Sequence, residues 1–116
     1  MPAIDLATIR KATEGRDGRT LGALYAEDAV LQVIDQMNPP SHPKELRGRA
    51  AIQAYFDDVC GRDMTHRVEN AITDGERISF TQRCAYPDGK AVVCATTLEL
   101  AGGKIRRQVA VQAWDS

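Results

Sequence analysis

This chain of 116 residues is poor in the residue types that mark specialised protein classes. Aromatic residues make up only 5% of it, and its three cysteines, Cys60, Cys84 and Cys94, are an odd number without the spacing of a zinc site. We therefore expect neither a disulfide framework nor a bound metal, and reduced thiols are typical of a cytoplasmic protein. A formal net charge of −1 argues against the clustered basic surface that binds nucleic acid.

Long apolar segments are also missing. No apolar run approaches the roughly 20 residues that cross a bilayer, and residues 1–5 lack the basic and apolar regions of a signal peptide. No membrane partner is expected. The length suits one domain, residues 1–116, with a single hydrophobic core.

Periodic apolar residues predict three helices. The first covers residues 4–15, with Asp5 as its N-cap, and the second is short and runs as far as Tyr25. The third covers residues 48–60 and ends at Gly61. All three precede most of the strands.

One predicted strand lies between the second and third helices. Residues 28–36 form it by their apolar and β-branched content. The next segment, residues 37–46, has three prolines in five positions and is predicted to lack regular structure. It is longer than a simple connection, so we expect it to cover a site.

Four further strands are predicted between turn signals. The sequence from Tyr86 to Lys90 is typical of a three-residue hairpin, with Gly89 in the left-handed conformation and Tyr86 paired with Lys90. Helices first and antiparallel strands last indicate an α+β domain with helices on one sheet face. The predicted strands are residues 65–73, 76–86, 90–101 and 104–115.

The last strand is apolar on both faces. One face would carry Arg107, Val109 and Val111, and the other Gln108 and Gln112, and alternation alone leaves open which of them is the inner one. A strand of this kind indicates a sheet whose second face is also covered, usually by a second copy of the chain. A homodimer is therefore expected.

Three segments resemble those of ketosteroid isomerases and SnoaL-like polyketide cyclases in the nuclear transport factor 2-like superfamily. They are residues 23–29, 48–52 and 103–105, and the resemblance extends over nearly the whole chain. It implies a cone-shaped, curved antiparallel sheet packed by three N-terminal helices around one deep pocket. It implies no single activity, since the superfamily includes isomerases, cyclases, dehydratases, hydrolases and binding proteins.

The resemblance also implies that the three groups of a ketosteroid isomerase site are missing. The oxyanion-hole tyrosine corresponds to Ile9, the protonated aspartate to Thr96 or Thr97, and the general base to Val33. Ketosteroid isomerisation is therefore not expected. Asp35 is a carboxylate two residues beyond Val33, on the same strand face and about 7 Å further along.

Two residues are candidate catalytic groups. Asp35 is either a general base or acceptor for a ligand, or a cap of the loop that follows it. His66 is either an acid/base partner in the pocket or a strand histidine bonded to a backbone carbonyl. By contrast, Tyr55 and Phe56 are interpreted as core packing.

Inward glutamines indicate a partly polar pocket, because a buried amide without a partner costs about 1–3 kcal/mol. Such amides need a ligand, an ordered water or a mutual network. The family resemblance implies that Gln108 and Gln112 point inward. The predicted substrate-binding residues are Gln82, Tyr86, Thr96, Gln108, Gln112 and Trp114.

The sequence thus predicts a protein that binds a small molecule without a cofactor. As an enzyme it would isomerise, cyclise or dehydrate a small carbonyl compound, with Asp35 taking the proton and His66 or Tyr86 assisting. The alternatives are a non-catalytic ligand-binding protein and a dimerisation module of the same fold.

Overall fold

The computed structural model describes residues 4–115. Residues 1–3 and 116 lie outside the described part of the chain. The predicted domain, residues 1–116, includes them, and residues 1–3 also belong to the segment 1–5 that was compared with signal peptides. The elements in chain order are α1 (Leu6–Glu14), α2 (Gly18–Ala23), β1 (Tyr25–Ile34), β2 (Lys44–Arg47), α3 (Arg49–Gly61), β3 (Thr65–Thr73), β4 (Arg77–Ala85), β5 (Ala91–Ala101) and β6 (Lys104–Trp114).

The strands form one curved, unclosed sheet in the order β2-β1-β6-β5-β4-β3. Neighbouring strands are antiparallel except β1 and β6, which run parallel. The predicted α+β fold with three helices is confirmed. The helices cover the inner sheet face, where the core cluster includes Leu31, Ile52, Ile78, Leu98 and Ile105.

Local signals mark the starts of α1 and α3, which lie within two residues of the predicted positions. The Asp5 carboxylate accepts a hydrogen bond of 2.8 Å from the Thr8 backbone N–H, which is an N-cap for α1. Gly48 precedes α3 with a φ of 90°, in the region that side chains disfavour. Its N–H donates to the Ala29 carbonyl at 2.8 Å, so the start of α3 is tied to β1.

Three predicted boundaries are wrong. Residues 44–47, predicted to be irregular, form β2, because the open edge of β1 offers backbone groups that pair with them. Tyr25 begins β1 instead of ending α2, and its side chain is only 2% exposed. Strand β1 then ends at Ile34, two residues earlier than predicted. The pairing of β2 with β1 and of Tyr25 with Ile105 on β6 joins distant parts of the chain, which local patterns do not show.

The β4–β5 hairpin has the predicted geometry. The Tyr86 N–H donates to the Lys90 carbonyl at 2.9 Å, and Gly89 has a φ of 92°. The pairs Cys84–Val92 and Gln82–Cys94 follow from this turn and are both present. The inner face of this hairpin is therefore as predicted.

A β-bulge resolves the two interpretations of the last strand. Glu99 pairs with Arg107 and Leu100 pairs with Ile105, so Arg106 is an extra residue on β6. The alternation shifts there, and Ile105 (1% exposed) and Gln108 (8% exposed) both face inward. From Gln108 onward, the face of β6 that carries Gln108 and Gln112 is thus the inner face.

Helix lengths and hydrophobicity also bear on membrane association. Within residues 4–115, no helix combines the length and the apolar character needed to cross a membrane.

Candidate functional site

A cavity of about 230 Å³ lies between α3 and the inner face of the sheet. Tyr55, Phe56 and Val59 of α3 form one wall, and strands β3 to β6 form the opposite one. All the residues predicted as catalytic or substrate-binding line it. They are Asp35, His66, Gln82, Tyr86, Thr96, Gln108, Gln112 and Trp114.

Cross-strand pairing arranges these residues in rows. Gln82, Cys94 and Gln112 are successive partners across β4, β5 and β6, so they form one polar row. In the next row Thr96 is paired with Ala110, and these two small side chains leave room above the sheet. The cavity therefore has amides on two sides and a shallow floor between them.

One end of the cavity is held by a chain of aromatic and polar contacts. The rings of Tyr86 and Trp114 stack with centroids 5.9 Å apart. Arg62 donates to the Tyr86 hydroxyl at 3.0 Å and to the Asp58 carboxylate at 2.6 Å. On the other side, Trp114 Nε1 donates to Gln112 Oε1 at 3.0 Å. These contacts fix the orientation of the Gln112 amide.

The other two glutamines also have internal partners. The Tyr25 hydroxyl donates to Gln108 Oε1 in the buried interior. Gln82 Nε2 lies 3.1 Å from His66 Nδ1 and 3.4 Å from Cys84 Sγ. Each amide is thus bonded at one end, which satisfies part of the requirement for buried polar groups.

His66 is a neutral hydrogen-bonding residue. Its Nδ1 faces two donors, the Gln82 amide and the Cys84 thiol at 3.0 Å, so the ring proton belongs on Nε2. Burial, together with the charge of Arg16, lowers the pKa of His66. Of the fully enclosed side-chain nitrogen and oxygen atoms in residues 4–115, only His66 Nε2 lacks a hydrogen-bond partner.

Asp35 caps the turn after β1. Its Oδ1 accepts hydrogen bonds from the backbone N–H groups of Met37 and Asn38 and from the Asn38 side chain, at 2.8–3.0 Å. The other carboxylate oxygen, Oδ2, has no hydrogen-bond partner in the described part of the chain. One oxygen therefore holds the loop, and the residue also lines the cavity.

Four ionisable groups that line the cavity, Tyr55, His66, Cys84 and Cys94, are uncharged near neutral pH. Burial raises the pKa of Tyr55 to about 12 and that of Cys84 to about 11. Burial also raises the pKa of Tyr25 and Cys94, whereas it lowers that of His66. The thiols therefore stay protonated and are poor nucleophiles.

The cavity lining includes residues that the sequence patterns did not assign to a site. Tyr55 was interpreted as core packing, yet it lines the cavity, with Lys44 Nζ 6.0 Å above its ring. Arg62 follows α3 and also lines the cavity, as does Asn38. Helical periodicity places Tyr55 on an inner face but does not distinguish a cavity wall from a filled core. The described residues contain no cluster of His, Cys, Asp or Glu suited to a metal ion.

The fold and the cavity against the inner sheet face agree with one domain family. Residues 7–108 match the family described as SnoaL-like domain. The chain belongs to the SnoaL-like family. A comparison with curated protein sequences finds no match.

Solved structures similar to this SnoaL-like domain share its nuclear transport factor 2-like fold. A nuclear transport factor 2-like protein of unknown function from Mesorhizobium loti has a TM-score of 0.81 and 17% identity, with 93% of this chain and 87% of that chain covered. A proposed ketosteroid isomerase from Kribbella flavida has a TM-score of 0.75 and 20% identity, with 95% and 74% covered.

A third similar structure is SalBIII, described as an epoxide hydrolase/cyclase-like enzyme in pyran ring formation of the polyether salinomycin. Its TM-score is 0.69 at 17% identity, with 93% of this chain and 87% of that chain covered. At these identities the likeness concerns the fold alone. Family and fold together support a small-molecule-binding protein of the nuclear transport factor 2-like type.

Proposed function

We propose that this protein binds a compact, neutral, polar small molecule in the cavity between α3 and the sheet. The observation that carries this proposal is a lining of amides and hydroxyls where a filled core would have aliphatic side chains. A cavity of about 150 Å³ holds a benzene ring. The 230 Å³ available here suits a ligand of about one ring with polar substituents.

The charge state of the lining supports a neutral ligand. The buried tyrosines, cysteines and histidine are uncharged, so the interior offers no counter-ion. An unpaired charge placed there would lose its hydration without compensation. Charged side chains lie instead at the periphery, where Lys44, Arg62 and Asp35 contact the cavity.

A thermal-shift screen of neutral and anionic one-ring compounds tests this proposal. A ligand at 100 times its Kd stabilises the folded state by about 2.7 kcal/mol. The variant Ala110→Leu fills the cavity floor and is expected to abolish the shift. Ala113→Leu makes the same change on the exposed outer face of β6 and is expected to preserve it. Equal shifts in both variants would show that the compound binds elsewhere.

An enzymatic role is the second candidate, favoured by the free oxygen of Asp35. Oδ2 would take a proton α to a carbonyl, while the Tyr86 hydroxyl or His66 assists. The reaction would be an isomerisation, cyclisation or dehydration without a cofactor. The engagement of Oδ1 by three N–H groups supports the non-catalytic alternative, in which Asp35 only shapes the loop.

The variant Asp35→Asn separates these two roles. Its side-chain oxygen still accepts hydrogen bonds from the turn, so stability and ligand affinity are expected to change little. If Asp35 is the base, turnover of a bound carbonyl compound falls to background in this variant. Unchanged turnover would exclude Asp35 as the proton acceptor.

The proposal includes a homodimer formed through the outer sheet face. Val111 on β6 is 46% exposed, and Val93 and Val109 lie on the same face. A second copy would bury these side chains. Sedimentation should show a dimer that Val111→Glu converts to a monomer, whereas Ile72→Glu, at a position 71% exposed on the edge strand β3, leaves it intact. A monomeric wild-type protein would contradict the proposed dimer.

A cytoplasmic location also stays a prediction.

A further inference from the structure

The three glutamines of the cavity differ in which amide end is free. A tryptophan N–H can only donate, so the oxygen of Gln112 must face Trp114 Nε1. The Gln112 nitrogen, with two N–H groups, is then the end that faces away from Trp114. Gln112 therefore presents a donor.

Gln82 presents the opposite polarity. Its nitrogen is directed to His66 Nδ1 and Cys84 Sγ, so its oxygen is the end left free. Gln108 resembles Gln112, because its oxygen accepts from the Tyr25 hydroxyl and its nitrogen is left free. None of these free ends is among the fully enclosed, unpartnered atoms of residues 4–115. They are open to space, and all three residues line the cavity.

Gln82 and Gln112 line the cavity from the two sides of Cys94. Both residues pair with Cys94, one from β4 and the other from β6. Their Cα atoms are therefore separated by two strand spacings, roughly 10 Å. Because both residues line the cavity, a ligand of about one ring that lies over Cys94 would have both amides beside it.

We propose that the cavity selects a compact compound that carries both a hydroxyl and a carbonyl group, the hydroxyl donating to Gln82 Oε1 and the carbonyl oxygen accepting from Gln112 Nε2. Gln108 Nε2 supplies a further donor. This inference rests on the proposed binding of a small molecule in the same cavity. Beyond that proposal, it states which ligand group is recognised at each amide: a hydroxyl at Gln82 and a carbonyl at Gln112.

Three probes of almost the same shape test the pattern: 4-hydroxycyclohexanone, cyclohexanone and cyclohexanol. Titrations followed by the side-chain amide signals in ¹H–¹⁵N spectra give their dissociation constants. Each matched hydrogen bond is expected to tighten binding by about 2- to 10-fold, so the hydroxyketone should bind best. Equal affinity of the three probes would overturn the inference while leaving small-molecule binding in place.

Two variants assign the groups. Gln112→Glu keeps an acceptor for Trp114 but replaces the free donor by an oxygen, so cyclohexanone should bind at least about 10-fold more weakly. Gln82→Met removes the free acceptor, so the hydroxyketone should bind no better than cyclohexanone. Gln32→Glu makes the matched change on the outer face of the same sheet and should alter none of the constants.

The wild-type series remains decisive if a variant does not fold, which thermal unfolding will show. In the wild-type protein, a hydroxyketone that binds more weakly than either cyclohexanone or cyclohexanol would contradict the assigned pattern. Absence of amide shifts for all three probes at their solubility limit would also overturn the inference. The screen against Ala110→Leu then judges the proposed function separately, because it does not depend on this chemical pattern.

Discussion

Replacing Tyr25 by phenylalanine removes the donor that holds Gln108 beneath the cavity. Tyr25 is 2% exposed and Gln108 is 8% exposed, so water does not replace the lost hydrogen bond. An unsatisfied buried acceptor costs about 1–3 kcal/mol. For a domain of this size, that loss lowers Tm by about 4 °C per kcal/mol. Gln108→Met should destabilise the fold similarly, because it leaves the Tyr25 hydroxyl without its acceptor.

The double variant Tyr25→Phe with Gln108→Met tests the reasoning more sharply. Removing both partners leaves no unsatisfied polar atom, so the pair should be more stable than the sum of the two single changes by about 1–3 kcal/mol. Urea unfolding of the four proteins measures this coupling energy. Tyr86→Phe is the matched control, since its hydroxyl bond to Arg62 is exposed and its loss should cost no more than about 0.5 kcal/mol. Additivity of the two single changes within about 0.5 kcal/mol would refute a coupled buried bond.

Two further predictions concern pH and backbone geometry. The pKa of His66 is lowered in the folded state, so the unfolded chain binds the proton more readily. The free energy of unfolding should therefore decrease as the pH falls below 6.5, by at most about 1.4 kcal/mol per pH unit. Urea unfolding between pH 8 and pH 5 should show this slope in the wild type and its loss in His66→Gln. Gly48→Ala should destabilise the fold by about 1–3 kcal/mol, since its φ of 90° strains any side chain, whereas Gly61→Ala, at the helical end of α3 with open space around it, should be neutral or stabilising.

The strands of the second half were predictable because each carries its own signals. The turn between Tyr86 and Lys90 sets the register of β4 against β5, and the alternation from Ile78 to Cys84 then identifies the inner face. The inward position of Gln82 follows from these local patterns alone. The helix start at Asp5 likewise depends on an interaction between residues three apart.

The features that local patterns missed depend on partners far along the chain. Strand β2 exists because residues 44–47 reach the open edge of β1. The bulge at Arg106 becomes visible only when β6 is aligned with β5. From sequence, Asp35 is either a general base or a cap of the following loop. Its hydrogen bonds support the loop cap, while one of its carboxylate oxygens stays free. Its catalytic role stays a prediction.

The sequence by itself determined the fold class, the inner face of the central hairpin and the residue types available to a pocket, because turns, caps and alternation act over a few residues. Only the tertiary structure decided which end of each glutamine is free. For Gln108 and Gln82 that depends on Tyr25 and His66, which lie on other strands and meet the amides only after folding. For Gln112 it depends on Trp114, two residues further along the same strand. An amide has a donor at one end and an acceptor at the other, and its neighbours decide which of them a ligand encounters.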